Sequence, residues 1–188
     1  MVRITVPSVL VMAGGKGTRM GLAEKYMMNA GGTPLVERIL QAACMLSRAI
    51  YVCTSGQIPQ LERLASTYGA SIIYGAGRSY YEDLSRSYIR VKEYPLLVIP
   101  GDLAIPDEQV LTSFLSGAVE LECDLVNLSA GGNITGICLI RHRPMDAKEL
   151  SYDAIDFPQD AVVNVNTASD FERAEKLFEE RAGKQYDY

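Results

Sequence analysis

The sequence predicts an α/β protein of one domain, residues 1–188, in which a mostly parallel central sheet is covered by helices on both faces. Three observations support this fold class. Short runs rich in Val and Ile alternate with longer amphipathic stretches, which is the pattern of repeated βα units. The 188 residues suffice for one buried core but are too few for two ordinary domains. With 48% hydrophobic and 22% charged residues, the composition is that of a folded, water-soluble protein.

Seven short apolar runs predict the strands. Each is rich in β-branched or large aliphatic residues and gives way to glycine, proline or polar residues. The length of each run, four or five residues, suits strands that are buried in a sheet. The predicted strands span residues 9–12, 49–53, 71–74, 96–99, 125–128, 136–140 and 162–165.

Five amphipathic stretches predict the helices. The first carries apolar residues at helical spacing after Pro34, which suits the first turn of a helix. The last follows Thr167 or Ser169, either of which is a suitable N-cap. Residues 143–160 predict only a loop or a small excursion near the site, and residues 183–188 are expected to fray. The helices are expected at residues 35–46, 60–68, 81–91, 107–119 and 169–181.

The charge pattern argues against a nucleic-acid partner. The formal net charge is -5 and no run of Lys or Arg occurs, so the field of the whole chain would repel a polyphosphate strand. The apolar stretch at residues 8–13 is too short for a signal sequence or a membrane span. We therefore expect a cytoplasmic protein, without a membrane span, that binds small anionic molecules.

The cysteines and the single histidine predict no chemistry of their own. Four cysteines are widely spaced, form no Cys-x-x-Cys pair and lie among apolar residues, which favours buried thiols over a zinc site or a disulfide framework. His142 lies between two arginines at the end of a predicted strand, and we interpret it as incidental. The cysteines are Cys44, Cys53, Cys123 and Cys138.

A glycine-rich loop follows the first predicted strand. Residues 11–25 read Val-Met-Ala-Gly-Gly-Lys-Gly-Thr-Arg-Met-Gly-Leu-Ala-Glu-Lys. Glycines allow the backbone to approach a ligand closely and to point several N–H groups inward, and three cationic side chains lie in the same segment. The loop therefore predicts a site for the triphosphate of a nucleotide. Its candidate nucleotide-binding residues are Ala13, Gly14, Gly15, Lys16, Gly17 and Thr18, and Arg19 and Lys25 are further cations.

The loop fits neither of two common phosphate-binding motifs. A Walker A loop that starts at Gly14 requires glycine where Arg19 stands. A dinucleotide-binding fingerprint that starts at Gly15 requires glycine where Met20 stands, and Gly21 comes one residue late. These departures disfavour both the P-loop and the dinucleotide-binding interpretations.

The loop instead resembles the signature of the GT-A-like nucleotidyltransferases. Within that superfamily the chain is most similar to the archaeal adenosylcobinamide-phosphate guanylyltransferases, which transfer GMP from GTP during cobalamin assembly. The resemblance implies the Rossmann-like fold of the nucleotide-diphospho-sugar transferases. One departure is Tyr26-Met27-Met28 after Lys25, where family members usually carry Pro and an aliphatic residue. The likeness also covers Thr54-Ser55, Gly77, residues 80–84, Asp102-Leu103, and residues 164–167 with Asp170.

The resemblance also assigns roles to charged residues. It implies that Lys16 and Arg19 engage the β- and γ-phosphates and that Lys25 reaches the α-phosphate, which makes Lys25, Arg19 and Asp102 the catalytic candidates. Asp102 follows a buried strand at the carboxyl edge of the sheet, where open α/β folds bind ligands, and a carboxylate there suits Mg²⁺.

Other assignments of these polar residues remain open. Asp102 is also consistent with an acid placed before a helix, as we interpret Asp107. Asn166 is implied to be the second metal ligand, although Asn166 or Thr167 would equally serve as an N-cap. We interpret Asn164 as structural.

Recognition of guanine is expected at a second set of residues. The Thr54-Ser55 turn and the loop at residues 75–78, which contains Gly77, are candidates for contact with the base or ribose. Glu82 or Asp83 would accept hydrogen bonds from guanine N1 and N2. Acids in the first turn of a helix are equally ordinary partners of the helix dipole, so both interpretations stay open.

The sequence therefore predicts an enzyme that uses Mg²⁺, GTP and a phosphorylated corrinoid, and that is compatible with a homodimer. Molybdenum-cofactor guanylyltransferases share the loop and a similar length, so molybdopterin is the alternative acceptor, and sugar 1-phosphates are further alternatives. A GTP-binding module without transfer activity is the alternative of another class. The presence of Lys25, Arg19 and Asp102 favours an enzyme.

Overall fold

Seven strands form the central sheet of the protein, whose computed structural model describes residues 4–14, 24–144 and 150–185. Because the central strands are buried on both faces, their apolar runs are continuous. In chain order the strands are β1 (Ser8–Met12), β2 (Asn29–Ala30), β3 (Thr33–Pro34), β4 (Ala49–Thr54), β5 (Ser71–Tyr74), β6 (Leu96–Pro100), β7 (Leu103–Ala104), β8 (Leu125–Ala130), β9 (Asn133–Ile140), β10 (Tyr152–Phe157) and β11 (Val163–Asn164).

The sheet is mixed, with parallel pairs at its centre and at both edges. Its order is β10-β8-β9-β6-β1-β4-β5. Strand β1 pairs in parallel with β4 and β6, β4 with β5, and β8 with β10, whereas β9 runs antiparallel to both of its neighbours. The predicted mostly parallel sheet is therefore confirmed, with one antiparallel strand inside it.

Helices cover both faces of this sheet, as predicted. Alternate residues of β1 point to opposite faces, so that Val9 and Val11 join one buried cluster and Leu10 and Met12 join the other. Helices α1, α2 and α4 contribute to the first cluster, and α3 contributes Leu84 to the second. The helices are α1 (Leu35–Leu46), α2 (Pro59–Thr67), α3 (Tyr80–Arg90), α4 (Gln109–Glu120) and α5 (Ala168–Gln185), and Lys25–Met27 form a short 3₁₀ turn.

A third buried cluster lies between α5 and two short antiparallel pairs. Strand β2 pairs with β3, and β11 pairs with β7. Val163 and Val165 pack there with Ala174 and Phe178 of α5. This arrangement attaches the C-terminal helix next to the turn that follows β6, and so brings residues 164–166 near Asp102.

Three expectations about elements were wrong. The run at 162–165 forms a strand only at Val163–Asn164, and this strand pairs with β7 outside the main sheet, because an apolar run specifies burial but not its partner. The stretch at 143–160 contains β10, an edge strand of the main sheet. Helix α5 extends through Gln185, into the stretch at 183–188 that was expected to fray, and residues 186–188 lie outside the described residues.

The cysteine prediction holds for two of four residues. Cys53 and Cys138 are buried, Cys123 is half-buried and Cys44 is exposed at the side of α1. All four are free thiols. No helix among the described residues has the length and apolar character that crossing a membrane requires.

Candidate functional site

The candidate site lies at the carboxyl edge of the central parallel strands. Backbone hydrogen bonds join the segments that leave these strands: Ala13 N–H donates to Cys53 O, Gly101 N–H to Met12 O and Gly75 N–H to Thr54 O, each at 2.8 Å. The turns that follow β1, β4, β5 and β6 therefore adjoin one another. Parallel strands present ligand-binding loops at this edge.

Lys25 is the centre of a polar cluster at this edge. Its ammonium donates to the carbonyl oxygen of Val165 at 3.0 Å and to Asn166 Oδ1 at 2.8 Å, and it forms an ion pair with Asp102 Oδ2 at 3.0 Å. The Lys25 side chain is 13% exposed and that of Asp102 is 26% exposed. The fold thus brings together three residues that the sequence analysis selected from positions up to 141 apart.

The amide of Asn166 is oriented by its neighbours. Its Nδ2 donates to Asn164 Oδ1 at 2.8 Å, which leaves Oδ1 to face Lys25. The carboxylate of Asp170 accepts from the backbone N–H groups of Asn166 at 3.0 Å and Thr167 at 2.8 Å. Asn164 and Asp170 are therefore positioning residues for the cluster.

The start of α5 is a reciprocal cap built on Thr167. The Thr167 hydroxyl accepts from Asp170 N–H at 3.2 Å while the Asp170 carboxylate accepts from Thr167 N–H, the arrangement of a capping box. Thr167 is therefore the N-cap, and the alternative in which Asn166 caps the helix is disfavoured because its side chain faces Lys25. The spacing Thr167-x-x-Asp170 is the sequence signal for this cap.

Asp102 does not serve as a helix-start acid. It lies in the turn between β6 and β7, whereas α4 begins at Gln109. Asp107 fills that role, because its Oδ1 accepts from Gln109 N–H at 3.1 Å and pairs with Arg181 at 2.9 Å. The backbone of Asp102 is also fixed, since its carbonyl accepts from Val165 N–H at 3.2 Å.

The oxygens of Asp102 and Asn166 form a donor set that fits a hard cation. Both lie within 3.0 Å of a single positive group, the Lys25 ammonium, so they already converge on one cation position. Carboxylate and amide oxygens suit Mg²⁺. Among the described residues, no group of three or more His, Cys, Asp or Glu side chains is arranged to hold a metal. A cation held by so few protein ligands must take others from water or phosphate.

The Thr54-Ser55 turn divides into a buried and an exposed residue. Thr54 has no exposed surface, and its hydroxyl donates to Gly56 O at 3.4 Å. The side chain of Thr54 thus lies below the surface, and contact of this turn with a base stays a prediction. Ser55 is exposed and remains the candidate in this turn.

The side chain of Tyr26 forms a hydrogen bond with that of Thr54 in the same turn. It is buried, and burial together with the charge of Glu24 raises its pKa to about 12, although a hydrogen bond with the Thr54 side chain acts in the opposite direction. Tyr26 stands where the resembled family usually carries proline. This departure from the family pattern therefore places a buried tyrosine beside Thr54.

Glu82 and Asp83 differ in what they contact. Glu82 Oε1 pairs with Arg86 at 2.9 Å and lies 4.0 Å from Arg78, and its backbone N–H donates to Ser79 Oγ, the N-cap of α3. Asp83 is buried and accepts from the backbone N–H groups of Ala76 and Gly77. Direct contact of either acid with a base stays a prediction.

Tyr80, the first residue of α3, is partly exposed, and the sequence analysis gave it no definite role. Burial raises the pKa of its hydroxyl above the ordinary value, and the charges of Cys138 and Asp102 add to the rise. Its ring meets that of Tyr81 edge to face, with the ring centroids 6.0 Å apart. The mixed spacing of the tyrosines gave no signal for this location.

Part of the predicted loop falls outside the described residues. Ala13 and Gly14 are described, and a Cβ built at Gly14 would lie 3.4 Å from Ser55 N. The predicted roles in this segment therefore stay predictions. The residues outside the description are Gly15, Lys16, Gly17, Thr18 and Arg19.

Comparison with known proteins shows the family of the chain. The model of the MobA-like NTP transferase domain matches residues 9–156 of the chain. The chain belongs to this family. The match runs from β1 to β10 and includes Lys25 and Asp102, whereas Asn166 lies beyond it.

One curated protein is similar in sequence to this chain. The adenosylcobinamide-phosphate guanylyltransferase of Methanocaldococcus jannaschii is 32% identical over 113 residues, which cover 56% of this chain and 57% of the relative. The alignment thus spans little more than half of the relative's length.

Solved structures share the MobA-like fold across nearly the whole chain. Molybdopterin-guanine dinucleotide biosynthesis protein A of Archaeoglobus fulgidus superposes with a TM-score of 0.65 at 18% identity over 92% of this chain and 99% of its own. The inositol-1-phosphate CTP transferase of T. maritima gives 0.71 at 13% identity over 93% and 97%. At these identities the likeness shows the fold alone, and it confirms the predicted fold class.

Proposed function

We propose that this MobA-like protein transfers GMP from GTP to adenosylcobinamide phosphate. A phosphate oxygen of the acceptor forms a bond to the α-phosphorus, and the bond from that phosphorus to the bridging oxygen of the β-phosphate breaks. Pyrophosphate leaves with the electron pair. Because a phosphate monoester is already ionised at neutral pH, the reaction needs positioning and charge stabilisation rather than a general base.

The observation that carries the proposal is the convergence of Lys25, Asp102 and Asn166 at the carboxyl edge of the sheet. Three oxygens surround the Lys25 ammonium, and two of them, those of Val165 and Asn166, are neutral. An α-phosphate oxygen that replaces a neutral acceptor forms a hydrogen bond between two oppositely charged groups in place of one to a neutral oxygen. Such a bond is strongest in the transition state, where the negative charge on the transferred group grows.

The remaining roles are proposed from the resemblance and the donor set. Lys16 and Arg19 would bind the β- and γ-phosphates, and Ser55 with residues 75–78 would contact the base. Asp102 and Asn166 would hold Mg²⁺, which when bound supplies positive charge to the phosphates. The name of the relative from Methanocaldococcus jannaschii supports the guanine and corrinoid assignments.

The first experiment measures pyrophosphate release by the purified protein. With Mg²⁺, GTP and adenosylcobinamide phosphate, we expect turnover that requires all three components. Replacement of GTP by CTP or ATP tests the base, and replacement of the corrinoid by glucose 1-phosphate tests the acceptor. Turnover with the sugar phosphate but not with the corrinoid would contradict the proposal.

Molybdopterin is the second candidate acceptor. Two findings support molybdopterin as a candidate: the family is described as MobA-like, and the similar solved structure from Archaeoglobus fulgidus is a molybdopterin-guanine dinucleotide biosynthesis protein. If molybdopterin supports pyrophosphate release and the corrinoid does not, the protein is a molybdenum-cofactor guanylyltransferase. The site and the GTP assignment would stand in that case.

Calorimetry distinguishes a transferase from a GTP-binding module without transfer activity. A transferase that uses Asp102 for the metal should lose affinity for GTP in Mg²⁺ when Asp102 is replaced by Ala. Tight binding of GTP that survives D102A, together with no product from any acceptor, would instead indicate the module.

A further inference from the structure

The buried carboxylate of Asp83 is the feature of this edge that the proposed chemistry does not use. Asp83 is 5% exposed, and among the described residues it is the one charged side chain that is buried to this degree. It lies in the first turn of α3, one residue after Glu82. A buried carboxylate requires hydrogen-bond donors, so its partners reveal its role.

Its partners are two backbone amides of the turn after β5. Oδ1 accepts from Ala76 N–H at 2.5 Å and from Gly77 N–H at 3.1 Å, and Oδ2 accepts from Gly77 N–H at 3.2 Å. Within the part of the chain that the structure describes, no Lys or Arg forms an ion pair with Asp83. The carboxylate is therefore satisfied chiefly by this turn and by its place at the start of a helix.

The turn is held between Asp83 and Ser55 without room for side chains. A Cβ at Gly75 would overlap the Asp83 carboxylate. Gly77 has φ +67°, and a Cβ there would lie 2.8 Å from Ser55 Cβ. Ser55 in turn lies beside Gly14, two residues after the end of β1, where a Cβ would be 3.4 Å from Ser55 N. A contact chain thus runs from Asp83 through the turn and Ser55 to the start of the glycine-rich loop.

We propose that Asp83 is a positioning residue for nucleotide binding, which shapes the turn at residues 75–77 without touching the base itself. The inference rests on the proposed function, in which GTP binds across the carboxyl edge with its base near Ser55 and this turn. It replaces direct recognition of guanine by Asp83, because both oxygens of the carboxylate already accept hydrogen bonds from the protein.

The two roles predict different effects of Asp83→Asn on purine nucleotides. Asparagine keeps the size of the side chain but offers one acceptor in place of two, so the turn loses its fixed shape. A positioning role weakens GTP and ITP binding by the same factor, about tenfold for one lost hydrogen bond to a charged group. Direct recognition of guanine N1 and N2 weakens GTP binding by a larger factor than ITP binding, because ITP keeps N1–H but lacks the 2-amino group.

The experiment measures dissociation constants of GTP and ITP by calorimetry in Mg²⁺ for the wild type and D83N. Asp124→Asn is the matched control, since the Asp124 carboxylate also fixes a backbone N–H, that of Ser151 at 2.9 Å, but lies before β8 at the opposite edge of the sheet. We expect a parallel loss in D83N, an unchanged GTP to ITP ratio, and no change in D124N. Where D83N does not fold, Gly77→Ala perturbs the same turn from the Ser55 side and should give the same parallel loss.

Two outcomes would overturn the inference while leaving the proposed function intact. A larger loss of affinity for GTP than for ITP would assign base recognition to Asp83. Wild-type affinities in a folded D83N, with only a lower melting temperature, would make Asp83 a stability residue. If the wild type binds neither nucleotide, the proposed function fails and the inference fails with it.

Discussion

Lys25, at the end of the glycine-rich loop, donates a hydrogen bond to Val165 just after β11. Its removal should affect turnover and GTP binding to different extents. Lys25→Ala takes a cation from the reacting phosphate, so we expect kcat to fall by about 10²- to 10³-fold while the Kd for GTP rises less than about tenfold. Steady-state kinetics and calorimetry measure the two quantities. Lys176→Ala is the control, because Lys176 pairs with Glu180 on the exposed side of α5. Equal losses in turnover and in GTP affinity would refute the transition-state role of Lys25.

Asn164 determines which atom of Asn166 faces the cation position. Asn164→Ala removes the acceptor for Asn166 Nδ2, and the amide is then free to turn its NH₂ toward Asp102. We expect the Mg²⁺ concentration for half-maximal activity to rise by about tenfold, a typical effect of losing a residue that orients a metal ligand. Asn164→Asp keeps the acceptor and should show a smaller rise. If both variants require the same Mg²⁺ concentration as the wild type, Asn164 does not orient the ligand.

Helix α5 begins at a cap whose stability contribution depends on pH. Burial raises the pKa of Asp170, but hydrogen bonds from Thr167 and from the backbone of Asn166 and Thr167 lower it overall. Because the pKa is lower in the folded state, the contribution is complete above the unfolded value of about 4 and is lost as the pH falls through the folded value.

Asp170→Asn should therefore destabilise the protein by about 1 kcal/mol at pH 7. The difference from the wild type should shrink below about pH 4 and vanish once Asp170 is protonated in the folded state. Urea unfolding across this pH range measures it, with Glu172→Gln on the same helix as the control. A difference that stays constant down to the lowest pH would rule out the charged cap.

Among the strands, most of those that the sequence predicted are buried along most of their length. Strands β1, β4 and β6 were predicted because all or most of their residues are buried and apolar. Strand β10 was missed because it lies at an edge, where Tyr152 and Asp153 are exposed and the pattern lacks a continuous apolar run. The separate pairing of β11 with β7 was missed for another reason, namely that pairing depends on the position of α5 rather than on the strand's own residues.

Over the whole molecule, the sequence selected residues that the structure brings together but did not predict the contacts between them. The resemblance selected Lys25, Asp102 and Asn166, and fold topology brings them to one edge. Two features had no local signal, because they arise from contacts between distant segments. These are the ion pair between Lys25 and Asp102 and the burial of Thr54.

The central claim, that this site transfers GMP from GTP to a phosphorylated corrinoid, is tested most directly by competition in one reaction. The protein is incubated with Mg²⁺, GTP and equal concentrations of adenosylcobinamide phosphate and molybdopterin, and the guanylylated product is identified by mass spectrometry. We predict that adenosylcobinamide-GDP forms, that it accumulates in equal amount with pyrophosphate, and that no molybdopterin product accompanies it. Formation of the molybdopterin guanine dinucleotide alone, or of neither product, would contradict the account.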